Sequence, residues 1–188
     1  MNQALRHKLI EVTGDTLEKL AFIFAFPAET PPAMDSQRSE TVRVNFTGPV
    51  CGGVELSLPA GALPELALNM LGAEEGESFD TEQQHDALKE LANVICGNLL
   101  PTLAGDAAEF SLCPPLMVSG DSALIEPKEG NPTESTSEAT GYLMLEAGAC
   151  RVRLTWDPPA SRGPEGLPAG GGHLECRGKC YDQGAGGR

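Results

Sequence analysis

The spacing of apolar residues along the chain predicts long helices that alternate with short hairpins. Apolar positions that recur every three or four residues predict helices, and strict alternation of apolar and polar residues predicts strands. The fold class predicted from their order is α+β, with a mainly antiparallel sheet packed against long helices. The predicted helices are Asn2–Phe24, Pro64–Leu71 and Thr81–Ala104, and the predicted strands are Thr41–Phe46, Val54–Leu58, Phe110–Cys113, Leu116–Val118, Gly141–Glu146 and Cys150–Trp156.

Proline and glycine residues predict where these elements end. Pro27, Pro31 and Pro32 are expected to end the first helix, and Pro101 is expected to stop or kink the third. Residues 121–140 are polar and rich in turn formers, which predicts a mobile loop. Residues 158–188 hold nine glycines and four prolines and almost no large apolar side chain. They predict a disordered tail, after a single domain at 1–157.

Two parts of the chain are similar to each other, which predicts a domain with pseudo-twofold symmetry. Residues 14–22 align with residues 85–93 without a gap, and the aspartate and leucine positions match. Among the positions that differ, Lys19 stands where Glu90 stands and Phe22 stands where Asn93 stands. A second match joins the alternating segments 53–58 and 151–156. One half has therefore kept a polar pair that the other half has lost.

Charge and hydropathy argue against two classes of partner. The net charge is −14, and an acidic field repels phosphate backbones, so no nucleic-acid partner is expected. The longest apolar run, Ala21 to Phe26, is too short to span a membrane, and the N-terminus lacks the apolar core of a signal peptide. We therefore expect a cytoplasmic protein without a membrane partner. Much of the acidity lies in a cluster interpreted as a solvated loop: Glu74, Glu75, Glu77, Asp80 and Glu82.

The six cysteines of a cytoplasmic chain are expected to be free thiols. A disulfide between Cys51 and Cys150 would match the internal repeat, but the expected compartment argues against it. In the tail, His173, Cys176 and Cys180 have the types of zinc ligands but lack an obvious fourth partner, so no metal site is expected. Four cysteines lie among apolar or small residues, as buried thiols do: Cys51, Cys96, Cys113 and Cys150.

A polar strip runs along the helix predicted over Thr81–Ala104. At 100° per residue one apolar stripe forms, made of Leu88, Leu91, Ala92, Ile95 and Leu99. The opposite stripe carries a carboxylate and a carboxamide one turn apart, beside a residue without a side chain, so a partner molecule can come close. Its members are Asp86, Glu90, Asn93 and Gly97, and Asn98 lies on its flank.

The residues of the strip leave two interpretations open. Polar pairs spaced i, i+3 are common on solvated helix faces, and Glu90 and Asn93 fit that description. Asp86 fits a carboxylate near the start of a helix, where the dipole favours negative charge. Asn98 fits a side chain that satisfies nearby backbone groups. The second interpretation is a binding or catalytic surface.

Four short motifs follow one another along the chain, namely Phe46-Thr-Gly48, Met70-Leu-Gly72, Glu90-x-x-Asn93 with Gly97-Asn98, and Cys113-Pro-Pro115-x-x-x-x-Gly120. In this order they resemble the CheX-type chemotaxis phosphatases, which form a group with the CheC and FliY phosphatases. The resemblance runs from about Leu5 to Trp156 and implies a pseudo-twofold, CheC-like domain. A polar pair in the second half alone resembles the CheX branch, because CheC members usually carry two.

The resemblance implies hydrolysis of the aspartyl phosphate of a CheY-like response regulator, which ends chemotaxis or two-component signalling. It implies that Asn93 positions the attacking water and that Glu90 pairs with the active-site lysine of the regulator. Asp86, Gly97 and Asn98 are then expected to contact the regulator. No cofactor bound by this chain is expected, since the regulator supplies Mg²⁺.

The resemblance also implies a homodimer formed through sheet edges, and the hairpin over residues 141–156 is expected to offer an exposed edge. A second function class stays open beside the enzyme. It is a module of the same fold that binds a response regulator without turnover.

Overall fold

The computed structural model describes residues 2–32, 39–72, 78–118 and 137–157. The helices are α1 (Asn2–Ala21), α2 (Leu63–Leu71), α3 (Thr81–Leu99) and α4 (Pro101–Ala104), and a short 3₁₀ turn, Ala60–Ala62, precedes α2. The strands are β1 (Phe26–Pro27), β2 (Ser39–Thr47), β3 (Cys51–Pro59), β4 (Ser111–Leu112), β5 (Leu116–Val118), β6 (Ser137–Leu145) and β7 (Gly148–Asp157). Some of the predictions concern residues outside these ranges. They are the tail with its histidine and cysteines, the motif end at Gly120, and the acidic residues Glu74, Glu75 and Glu77.

The described strands form one antiparallel sheet in the order β1-β6-β7-β3-β2-β4, with β5 also paired to β2. β3 and β7 pair through the centre, from Cys51↔Asp157 to Ser57↔Arg151. These are the two segments that resemble each other in sequence, and each has its hairpin partner on the outer side. The predicted α+β class and the pseudo-twofold arrangement are confirmed.

The helices cover one face of the sheet and form the core with it. Alternate residues of β2 and β3, among them Val44, Phe46 and Leu56, are fully or almost fully buried and pack with buried side chains of α1, α2 and α3. The ring of Phe110 meets that of Phe46 edge to face, with 5.9 Å between centroids. Burying a large apolar side chain contributes about 1.5–3 kcal/mol, so this layer determines where the helices lie.

The opposite face of the sheet carries polar and charged side chains. Arg43 donates from Nη1 to Oε1 of Glu55 at 2.9 Å, and Arg153 lies 3.8 Å from the other carboxylate oxygen. Glu55 is only 6% exposed, and removal of one partner of a buried ion pair leaves an uncompensated charge. The pair therefore favours the observed register of β2, β3 and β7.

Helix α1 ends at Ala21 and not at Phe24 as predicted. Phe22 has φ 54°, and its N–H donates to the carbonyl of Glu18 at 3.1 Å, which is a common way for a helix to end. Asn69 of α2 donates to the carbonyl of Ala21 at 2.6 Å. A contact with another helix therefore ends α1 well before the prolines.

Two predictions about the last hairpin need correction. β6 begins at Ser137, inside the segment predicted as a loop, because residues 137–140 pair with β7. Its outer edge was expected to be exposed, but β1 pairs with it at Leu143 and Met144. Ala28 extends this pairing by donating its N–H to the carbonyl of Tyr142 at 2.9 Å. Part of the edge expected to form a dimer is therefore already occupied.

Helix α3 is fixed at both ends. Asp80 accepts the backbone N–H of Gln83 at 2.9 Å, and the Gln83 side chain accepts the N–H of Asp80 at 3.0 Å. This reciprocal capping box satisfies N–H groups that a helix start otherwise leaves without partners. At the other end the predicted stop is confirmed, since α3 ends at Leu99 and a separate short helix begins at Pro101.

The prediction that all the cysteines are free thiols is wrong. Cys51 and Cys113 are disulfide-bonded, whereas Cys96 and Cys150 are free and buried. The prediction relied on the expected compartment, which carries no information about which sulfur atoms meet. A bond between Cys51 and Cys150 is excluded by the β3–β7 register, which places them at opposite ends of the ladder, about 20 Å apart. A disulfide needs Cα atoms within about 7 Å.

Burial raises the pKa of the Cys96 and Cys150 thiols from 9.0 to about 12. Because the thiolate is the reactive form, we expect neither to be alkylated by iodoacetamide in the folded protein at about pH 8, and both to react in denaturant. Peptide mass spectrometry measures this. A raised folded-state pKa contributes stability below about pH 9 that is lost as the pH rises towards 12. Rapid labelling of either folded thiol would contradict the prediction.

Candidate functional site

The polar strip predicted from the sequence lies on the outward side of α3. Asp86, Glu90 and Gly97 are exposed and Asn93 is partly exposed. The strip faces away from the core because the opposite side of the helix is buried. The buried residues of α3 are Ala87, Leu88, Leu91, Ala92, Ile95, Cys96 and Leu99.

The side chains of Glu90 and Asn93 are available to a partner. Within the described segments, neither makes a hydrogen bond or an ion pair. Residues three apart on a helix are neighbours on one face, with Cβ atoms about 5–6 Å apart. An ionised carboxylate accepts hydrogen bonds, and a carboxamide both donates and accepts them. Together they can bind a cation on the partner and hold a small polar molecule beside it.

Asp86 lies one turn before Glu90 and is already paired. Its carboxylate accepts from Nζ of Lys89 at 2.8 Å, in an exposed pair that contributes little to stability. The interpretation of Asp86 as a helix-start carboxylate is wrong, because α3 begins at Thr81 and the dipole acts within the first turn. Asp80 has that role. Sequence reasoning missed it, although an Asp followed three residues later by Gln is a recognisable start signal.

Gly97 has no evident structural reason to be glycine. Its φ is not in the left-handed region, since the described glycines with positive φ are Gly72, Gly105 and Gly148. A Cβ added at Gly97 would meet no atom within 4 Å. Glycine in a helix interior costs about 0.5–1 kcal/mol relative to alanine. Within the described chain, no packing contact offsets this cost.

Asn98 lies on the flank of the strip, where it lines a groove between α1 and α3. It is exposed, and within the described residues no hydrogen bond joins its carboxamide to the backbone. The interpretation that Asn98 satisfies local backbone groups is therefore wrong. Its side chain points toward α1, the helix that carries the altered copy of the strip.

The altered copy on α1 has a different chemistry. Lys19, the counterpart of Glu90, donates to Asp15 at 2.8 Å. This hydrogen bond lowers the pKa of Asp15 and raises the pKa of Lys19 from their ordinary values. Phe22, the counterpart of Asn93, lies just beyond the end of α1 and is 68% exposed. The first half therefore presents a cation and an aromatic ring where the second half presents a carboxylate and a carboxamide.

The described residues include no group of three or more histidine, cysteine or acidic side chains placed to hold a metal ion. None of the helices in the described segments combines the length and the apolar character needed to cross a membrane.

Comparison with family models gives a match to the chemotaxis phosphatase CheX over residues 41–136, just over half of the chain. The matched segment includes α2, α3 and every residue of the strip. Comparison with curated protein sequences gives no match.

Solved structures with a similar fold include chemotaxis proteins named CheX. The protein from Desulfovibrio desulfuricans is 17% identical, with a TM-score of 0.60 over 82% of this chain and 99% of that one. The protein from Vibrio vulnificus is 18% identical, with a TM-score of 0.59 over 80% and 95%. A CheX-CheY-BeF₃-Mg²⁺ complex from Borrelia burgdorferi gives 18% identity and a TM-score of 0.58 over 81% and 97%.

Gly97→Ala is expected to stabilise the domain by about 0.5–1 kcal/mol, because alanine is the better helix former and its Cβ enters open space. Thermal or urea unfolding measures the change. Gly141→Ala is the matched control. It is expected to destabilise the domain, because the added Cβ would lie 2.6 Å from Cγ1 of Ile10. A Gly97→Ala protein that is less stable than the wild type would show that this glycine has a structural role.

Proposed function

This chain belongs to the CheX family of chemotaxis phosphatases, and on that premise we propose that it hydrolyses the aspartyl phosphate of a CheY-like response regulator. The observation that carries the proposal is that the side chains of Glu90 and Asn93 lie on the outward side of α3, near Gly97, and make no hydrogen bond or ion pair with any other described residue. That a CheX from Borrelia burgdorferi forms a complex with CheY supports this choice of partner.

The reaction needs few groups from this chain. An acyl phosphate is already activated, and phosphoryl transfer depends mainly on positioning and electrostatic stabilisation. In our proposal the regulator supplies Mg²⁺ and a lysine, and this chain supplies an aligned water. The water oxygen bonds to phosphorus while the bond from phosphorus to the aspartate oxygen breaks. The aspartate leaves as a carboxylate, the water proton passes to solvent, and inorganic phosphate is released.

Asn93 is the residue proposed to hold the attacking water. Its carboxamide oxygen can accept a hydrogen bond from the water, and its NH₂ group can donate to a phosphoryl oxygen. The side chain is partly exposed and extends from the middle of a helix that is fixed at both ends. A water held by a rigid element lies close to the attack geometry, and such alignment contributes a large share of catalysis in reactions of this kind.

Glu90 is proposed to dock the regulator by pairing with its active-site lysine. A charge-assisted hydrogen bond of this kind is stronger than one between neutral groups, and it fixes the position of Asn93 over the phosphoryl group. Gly97 would let the regulator backbone approach the helix, which explains a glycine that nothing else in the described chain requires. Asp86 and Asn98 are proposed to contact the regulator at the two ends of the same surface.

The second candidate function is a regulator-binding module of the same fold without turnover. The accessible side chains of Glu90 and Asn93, which make no hydrogen bond or ion pair within the described segments, fit it too, since a docking surface needs the same accessibility. We favour the enzyme because a carboxamide beside a carboxylate has a chemical use that simple docking does not require. We also propose that the protein acts in the cytoplasm and that it forms a homodimer. Light scattering on the purified chain can check the dimer.

Asn93→Ala is expected to lower the maximal rate of regulator dephosphorylation by about 100-fold, because the water is no longer aligned. The measurement is the decay of a phosphorylated CheY-like regulator from the same cell, with the protein added in substoichiometric amounts. Regulator binding should change little, and the unfolding temperature should match that of the wild type. A maximal rate equal to that of the wild type would contradict the assignment.

Glu90→Gln keeps the shape of the side chain and removes its charge. It is expected to raise the regulator concentration that gives half the maximal rate by about tenfold or more, because a charge-assisted hydrogen bond is lost. Glu65→Gln is the matched control, an exposed glutamate on α2 outside the strip. If the two substitutions raised this concentration equally, the cause would be the overall charge of the protein and not docking at Glu90.

A further inference from the structure

A groove lies between α1 and α3 and borders the strip. Its volume is about 310 Å³. Val12 and Leu20 of α1 and Val94 of α3 are its apolar lining residues. Polar side chains also line it, namely the exposed Asp15, Lys19 and Asn98 and the buried Thr16, whose hydroxyl donates to the carbonyl of Val12. The groove therefore combines apolar side chains and an internally hydrogen-bonded threonine with exposed charged residues, a mixture that suits one side chain of a protein partner.

The groove is close to the proposed catalytic residues. Val94 directly follows Asn93, and Asn98 directly follows Gly97. With a rise of 1.5 Å per residue, Asn98 lies about 7.5 Å along the helix axis from Asn93. Consecutive helical residues point about 100° apart, so the groove opens on the side of α3 that faces α1. It is a direct continuation of the strip.

The size of an ordinary protein complex indicates what occupies the groove. A stable interface covers about 800 Å² on each partner, which corresponds to a patch about 30 Å across. A regulator with its phosphoryl group over Asn93 therefore extends well beyond a strip one residue wide, and it reaches the groove on the same side of α3. The regulator is thus the occupant that the position of the groove favours.

The two halves of the chain differ at this place. Leu91 of α3 is fully buried, whereas its counterpart Leu20 of α1 is 36% exposed and lines the groove. Lys19, next to it, has replaced the glutamate of the strip. The α1 side of the groove also lies outside residues 41–136, the segment that matches the CheX family model. The catalytic strip belongs to the matched segment, and the α1 side of the groove does not.

We propose that the response regulator inserts an apolar side chain between α1 and α3, and that Leu20 and Lys19 determine which regulator the protein accepts. This inference rests on the proposed function for the identity of the partner. Leu20 and Lys19 act on affinity and not on the chemical step, because neither belongs to the strip that carries Asn93. The first half of the domain has thereby exchanged a catalytic pair for a specificity surface.

The test uses Leu20→Arg, which fills the groove with a charged side chain, and Lys19→Glu, which reverses the charge at its border. Leu71→Arg is the matched control for the first, since Leu71 is a more exposed leucine at a helix end and does not line the groove. Lys8→Glu is the control for the second, because Lys8 forms an exposed ion pair with Glu11 on the same helix. Thermal unfolding checks that all four variants fold.

Two quantities are measured with the whole 188-residue chain. One is the rate at which a CheY-like receiver domain from the same cell loses its phosphoryl group after phosphorylation with acetyl phosphate. This rate is measured at several concentrations of the receiver domain. The other is direct binding of the same receiver domain with BeF₃⁻ and Mg²⁺. Leu20→Arg is expected to raise KM and Kd by about tenfold or more, the range of an interface anchor, with kcat within about twofold. Lys19→Glu should change KM in the same assays, and both controls should behave as the wild type.

Failure of this inference differs from failure of the proposed function. If the wild type accelerates decay, Asn93→Ala abolishes it, and both groove variants keep the wild-type KM and Kd, the groove is not a docking site and the function stands. If no turnover occurs but Leu20→Arg weakens binding, the groove inference holds and the protein is a binding module. A fall in kcat at unchanged KM would place Leu20 in the catalytic step and overturn its role in specificity.

Discussion

The antiparallel pairing of β3 with β7 is the interaction on which the rest of the domain depends. It joins the two halves of the chain through the middle of the sheet, and each strand has its own hairpin partner on the outer side. Side chains from one face of both strands then form a continuous apolar surface, which is stable only when helices cover it. Helices α1 and α3, one from each half, lie there in contact with each other. Their outward faces are therefore the places where a partner can approach.

This arrangement makes α3 a rigid element of the domain. Leu88, Leu91 and Ile95 are fully buried, so the helix cannot turn about its axis without exposing them. The capping box at Asp80 and the break before Pro101 fix its length. The backbone positions of Glu90 and Asn93 are therefore fixed by the core and by both ends of the helix.

Elements with strong local signals could be predicted from the sequence, and elements that depend on distant contacts could not. The alternation in β2 and β3 and the left-handed Gly72 after α2 determine structure within a few residues. The end of α1 depends on Asn69, which is far away in the chain, and β1 is too short to show any period. The outward strip on α3 could be predicted from helical spacing. The groove beside it could not, because it forms only when α1 and α3 meet.

Each half of the domain also completes its sheet with strands that belong to the other half. β1 follows the first long helix and lies beside β6, while β4 and β5 follow the second and lie beside β2. Many contacts therefore join residues that are distant in sequence, and chains of such high contact order fold slowly, because long loops must close first. One half expressed by itself would leave its apolar face and strand edges open, and it would have to exchange these strands with a second copy about a true twofold axis. The domain has the architecture of a strand-exchanged dimer fused into one chain, and fusion is what allows two copies of a helix to carry different side chains.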